Sequence, residues 1–147
     1  MVGKKWILLL GILFSQLAFS QGHLRSAIKF NKASVFVGEP MEVSVEVFSS
    51  TWFTKGINPG NIKVKGAFTV YFRSLSTSVQ INGKTYAGVI MYFNVFPYEN
   101  KDVVFPALTF TVETPDDGGY KGVTRTIKTK ERIIKVKPIP PGFNPNE

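Results

Sequence analysis

Two apolar runs on either side of one short polar break, residues 85–112 (TYAGVIMYFNVFPYENKDVVFPALTFTV), constrain this chain more than any other stretch. Both runs are rich in Val, Ile, Phe, Tyr and Thr, side chains that suit a pleated, half-buried surface. The break, Pro97-Tyr98-Glu99-Asn100-Lys101-Asp102, has the length of a hairpin loop, so the pattern predicts a central β-hairpin. In the second arm Leu108, Phe110 and Val112 alternate with Thr109, Thr111 and Glu113, which sets one face toward a core and the other toward water. The first arm is apolar at Ala87, Val89, Met91, Phe93 and Val95, and partly at Ile90, Tyr92 and Phe96. A strand of that kind is expected to be covered on both faces, in the middle of a sheet.

Weaker strands fall into place around it. The stretch from Ala27 to Val37 alternates loosely and stops at Gly38-Glu39-Pro40, where proline fixes φ and removes a donor, so the chain turns. The next strand has the clearest alternation, with Met41, Val43, Val45 and Val47 on one side and Glu42, Ser44 and Glu46 on the other. A long loop, residues 49–61, follows. Short strands are then predicted at NIKVKG, AFTVYFRS and TSVQI, the last closed by Asn82-Gly83, a pair suited to a type I′ turn. Residues 113–122 read as a turn-forming loop in which Asp116 and Asp117 lack the spaced oxygens of a calcium site. VTRTIKTKERIIKVK reads as one long final strand whose lysines discourage edge association, and the proline-rich residues 138–147 read as a linker. About seven to nine short strands without a helix indicate an all-β fold, an immunoglobulin-like β-sandwich over residues 27–137.

The first twenty residues stand apart. Lys4 and Lys5, the apolar run Trp6–Phe14 and Ala18-Phe19-Ser20 ahead of Gln21 have the layout of a secretory signal peptide. The apolar run is shorter than the roughly 20 residues of a membrane-spanning helix. Residues 21–26 read as a flexible lead-in. Export without any cysteine fits a bacterial envelope and means that packing, not disulfides, stabilises the domain. The net charge of +8 includes the two leader lysines, and the remaining basic residues are interleaved with Thr, Ile and Val rather than set in a groove-reading motif. A solvated basic sheet face is expected, with no nucleic acid as partner.

No nucleophile elbow, metalloprotease pair or phosphate-cradling loop is present, and the single histidine, His23, lies in the lead-in. The expectation is a protein that is not an enzyme, with no catalytic residue, cofactor or metal site. Candidate partner-binding residues are Trp52 and Phe53 in the long loop and Tyr98 in the central break, because large aromatics dominate interface hot spots. The alternative for the loop pair is that it plugs the end of the core.

Four pieces in order, Val37-Gly38-Glu39-Pro40, Tyr92 with Val95-Phe96-Pro97, Phe105-Pro106, and Val136-Lys137-Pro138-Ile139-Pro140, resemble the first domain of BatD, the oxygen-tolerance family of bacterial Bat (aerotolerance) operons. The likeness spans most of residues 33–145; Glu99-Asn100-Lys101 stands where the family's central turn usually carries a glycine. The resemblance implies a non-catalytic periplasmic interaction domain, associated with the inner membrane in a full-length form. It also implies partners bearing von Willebrand factor A domains and a MoxR-type ATPase. A free secreted adhesive or glycan-binding module is the other reading.

Overall fold

The computed structural model describes residues 24–116, 119–139 and 142; the predicted leader, His23, Asp117 and most of the proline-rich tail lie outside them. The described chain is all-β: β1 (Leu24–Phe30), β2 (Ser34–Phe36), β3 (Met41–Ser49), β4 (Ala67–Ile81), β5 (Lys84–Pro97), β6 (Val103–Phe105), β7 (Thr109–Pro115), β8 (Gly122–Lys128) and β9 (Arg132–Lys137). They form a four-stranded sheet in the order β1-β3-β5-β4, a three-stranded sheet β2-β9-β6 and a pair β7-β8.

Alternation sets the main sheet. Met41, Val43, Val45 and Val47 of β3 are fully buried, as are Met91 and Val95 of β5, with Phe93 nearly so. The register Val43↔Phe93 and Val45↔Met91 places these side chains in adjacent rows on one face. That face meets Val35, Val103, Phe105, Phe110, Val112, Ile127 and Ile134 of the two smaller sheets in one core cluster, a sandwich-like arrangement. The Asn82-Gly83 turn is as expected: φ is 52° and 79°, both in the left-handed region, and Ile81 pairs with Lys84 directly across it. The turn before β3 also forms, with Glu39 N–H donating to Phe36 C=O at 3.0 Å.

The predicted central hairpin does not form. β5 pairs with β3 and β4, whereas β6 pairs with β9 and β7 with β8. The polar break is a crossing between sheets. Its geometry is fixed at one end by Gly38 N–H donating to Pro97 C=O (2.7 Å) and Tyr98 N–H to Gly66 C=O (3.1 Å). At the other end Asp102 accepts the Val136 N–H (3.0 Å) and pairs with Lys135 (3.2 Å), which ties β9 to the crossing.

Further boundaries differ from expectation: the stretch predicted from Ala27 to Val37 divides into β1 and β2, and β7 runs on to Pro115 into the predicted loop. Residues 61–66 form no strand, and Ala67–Ile81 is one continuous strand in place of two. Its Ser74, Ser76 and Ser78 are the wet alternate positions of an edge strand. Leu24, Arg25 and Ser26, assigned to the flexible lead-in, belong to β1, where Leu24 pairs with Ser49. The long final strand divides at residues 129–131, because Thr129 bonds Leu108 through both its N–H (2.9 Å) and its hydroxyl (2.8 Å) while the chain changes sheet. The buried phase shifts there from Ile127 and Thr129 to Ile134.

Two outcomes are expected. Phe110→Ala should cost about 3–5 kcal/mol, because it deletes a buried ring. Thr109→Ala, on the wet side of the same strand, should move the melting temperature little, and equal shifts would contradict the facing of β7. The hydrogen bond from Val136, followed by Lys135, holds the Asp102 carboxyl below its ordinary value of 3.8. A lowered folded-state value stabilises the fold above the unfolded value and ceases to do so as pH falls through the lowered one. Wild type should therefore melt above Asp102→Asn at pH 3.8 and higher, with the gap closing on further acidification.

Candidate functional site

The main sheet has a second face, opposite the core, and no strand of the described chain packs on it. Along β4 and β5 it presents Phe68 beside Phe96 (ring centroids 6.4 Å) and Phe72 beside Tyr92 (5.8 Å). Ile90, Tyr92, Asn94 and Phe96 are half-buried there, and Glu46, Phe48 and Tyr86 of the same face are buried. The expectation that β5 is covered on both faces is corrected accordingly: one face is core and the other is an open aromatic surface. Phe68 is 65% exposed and Leu75 44%, with Val70 and Phe72 also exposed.

A bulge shapes this surface. Tyr71 pairs with Phe93 and Arg73 with Tyr92, leaving Phe72 as the extra residue, so Phe72 and Arg73 both lie against the Tyr92 ring. Tyr71 turns to the core side, where its ring meets Phe93 at 5.5 Å. The Arg73 guanidinium sits 4.6 Å from the Tyr92 centroid, and Arg25 and Lys84 lie 5.6 and 6.0 Å from that of Tyr86. Each contact holds a cation against a ring face, which favours positive charge. Lys29 pairs with Glu46 at 3.2 Å, but Arg25, Arg73 and Lys84 make no ion pair with the described carboxylates.

Beside them Phe48 lies across Gly88. A Cβ on Gly88 would stand 2.7 Å from the Phe48 ring and 3.0 Å from the Thr77 methyl, so the ring occupies the space that any other residue would fill.

The three residues expected to bind a partner are dispersed. Trp52 is 47% exposed and stands 6.5 Å from the ring of Tyr120, near the end of β3; Phe53 turns inward and packs on the core. Thr54 anchors the loop, its N–H and hydroxyl both donating to Glu113 at 2.9 and 2.7 Å. Tyr98 is exposed, but at the far end of the sheet. The paired length from Met41↔Val95 to Ser49↔Ala87 separates the loops by roughly 27 Å at about 3.4 Å per residue, so Trp52 and Tyr98 cannot form one anchor. Phe53 is the core plug and Trp52 the exposed ring, which divides the two readings between neighbours.

A shallow cavity of about 260 Å³ lies on the core side of β4, lined by residues 60–63 with Thr69, Tyr71 and Phe93. The buried Thr69 hydroxyl there has no hydrogen-bond partner, and the lining contains no carboxylate or imidazole. Among the described residues no group of three or more His, Cys, Asp or Glu comes together to hold a metal.

Comparison with protein-family models, curated proteins and solved structures finds no match to this chain.

The open face is not legible in a pattern that places Phe68, Val70 and Phe72 in a short strand and makes β5 apolar on both sides. The usable signal was the absence of any carboxylate from Ala67 to Pro97. Gly88→Ala should destabilise the protein by about 1–3 kcal/mol, the usual cost of overpacking, even though alanine is the better strand former elsewhere. An unchanged melting temperature would show that Phe48 does not need the glycine.

Proposed function

We propose that this chain is a non-catalytic, exported binding domain of immunoglobulin-like architecture, part of a Bat-type envelope assembly, which engages a protein partner through the open face of the main sheet. One observation carries the binding reading: Phe68, Val70, Phe72 and Leu75 stay exposed on a face otherwise filled by rings and stacked cations. Contiguous exposed apolar surface marks interaction sites, and aromatic and Arg side chains are enriched in interface centres. The family and export parts rest on different support, namely the leader-like first twenty residues and the order of the turn motifs. Val37-Gly38-Glu39-Pro40 does make the turn into β3, and Phe105-Pro106 does end β6, features that a generic sandwich also uses. The partners this reading names are the envelope proteins with von Willebrand factor A domains, coupled to a MoxR-type ATPase.

A second reading has its own observation. The exposed Trp52 and Tyr120 rings, neighbours at 6.5 Å, offer the apolar ring surface of an adhesive or glycan-binding module.

Binding of the purified protein to the soluble part of a Bat-type von Willebrand factor A protein, measured by calorimetry, tests the first reading. Phe68→Ser and Leu75→Ser, both at exposed positions, should leave the melt nearly unchanged and weaken binding about tenfold or more. Wild-type affinity in both variants would rule the face out, and no binding to the von Willebrand factor A protein together with glycan binding that Trp52→Ala abolishes would favour the second reading.

A further inference from the structure

The main sheet ends on two edges that are treated very differently. The β1 edge is occupied: Arg132 donates to the Ile28 carbonyl at 2.6 Å, and the Ser26 hydroxyl to the Lys128 carbonyl at 3.3 Å. β4, at the other edge, spans fifteen residues and pairs only with β5. Sheet edges are normally blunted by short length, proline, charge or a bulge, since unpaired N–H and C=O groups invite another strand. β4 contains no proline, and its single charge, Arg73, adjoins its single bulge. Beyond them Arg73–Ile81 runs in unbroken register with Lys84–Tyr92.

The hairpin turn fixes which backbone groups are available. Ile81 and Lys84 close a two-residue loop and exchange hydrogen bonds, and such pairs alternate along an antiparallel ladder. The N–H and C=O groups of Ser74, Ser76, Ser78 and Gln80 therefore point away from β5, and none meets a protein partner among the described residues. The residues between them, Leu75, Thr77 and Val79, face the open surface. An added strand would carry apolar side chains on that surface and small polar ones on the other side.

We propose that the Arg73–Ile81 edge accepts an extended segment of a partner polypeptide as a fifth strand, and that this segment bears carboxylates. The inference deepens the binding reading above by naming the form and charge of the partner. Charge decides against a second copy of this chain. The stretch Ala67–Pro97 contains Arg73 and Lys84 but no Asp or Glu, so pairing β4 with another β4 brings more cations and nothing to neutralise them. A partner strand with acidic ends meets Arg73 and Lys84, which lie at the two ends of the free stretch, while main-chain bonds supply the register, as in other cases of strand addition.

A fluorescent peptide of about nine residues, a length typical of strands, alternating valine and threonine with glutamate at both ends, is a suitable probe. It should bind the purified protein, protect the amides of Ser74, Ser76, Ser78 and Gln80 from hydrogen exchange, and lose affinity in Ser76→Pro, which removes one outward N–H and no bond to β5. Lysine in place of the glutamates should weaken binding about tenfold, by the change from opposite to like charge pairs. The same peptide N-methylated at alternate residues should not bind to wild type, a control that needs no altered protein. Equal binding of the N-methylated peptide, or no binding of the parent at millimolar concentration, overturns the proposal. So does self-association through β4, seen as a doubled mass by light scattering that Ser76→Pro abolishes. If the peptide adds to β4 while Phe68→Ser and Leu75→Ser leave von Willebrand partner binding intact, the edge inference stands and the functional reading fails.

Discussion

Hydrogen bonding of β5 on both sides holds this structure together. From Ala87 to Val95 the strand is paired at once with β3 and β4, and Met91, Phe93 and Val95 lie in the core over that length. A strand bonded on both sides cannot slip by one residue without turning its whole buried set to the opposite face. The main sheet is therefore the fixed layer against which β2, β6, β7, β8 and β9 place their buried residues.

Those strands are short, and polar contacts between distant parts of the chain help to position them. Asp102 binds Val136 and Lys135, Thr129 binds Leu108 twice, and Arg132 reaches the Ile28 carbonyl while stacking on Phe30 at 4.7 Å. Each satisfies a backbone group that the ladders leave unpaired, Thr129 where the chain changes sheet and Arg132 on the outer edge of β1. The Arg132 contact also caps the β1 edge. The β4 edge receives none of them: β4 lies at the opposite end of the sheet from β1 and pairs only with β5. The difference between the two edges thus follows strand order, which sets β1 and β4 at opposite ends of the sheet.

The open face is organised by rings and cations rather than by a pocket. The bulge at Phe72 gives Tyr92 two neighbours from one strand, and Phe48 fills the gap above Gly88. Aromatic side chains with few rotatable bonds form a surface that loses little entropy on binding, and the stacked cations give it a sign. Trp52, with Tyr120, is a separate and smaller feature at one end.

Local patterning alone determined much of this protein. Alternation in Met41–Val47 and in Phe110–Val112 fixed which apolar side chains face the core, although Glu46 on the other side is buried too, and Asn82-Gly83 fixed a hairpin and its register, because period-2 facing and positive φ are properties of a few adjacent residues. The all-β character was legible for the same reason. Tertiary structure alone decided which strands pair. Residues 97–102 have the composition of a hairpin loop and yet cross between sheets, since the β3 and β4 partners of β5 leave its edges no room for β6. It also separated Phe53 from Trp52 and left Phe68 and Leu75 in water, for a side chain's burial depends on what packs across from it, and that partner is distant in sequence.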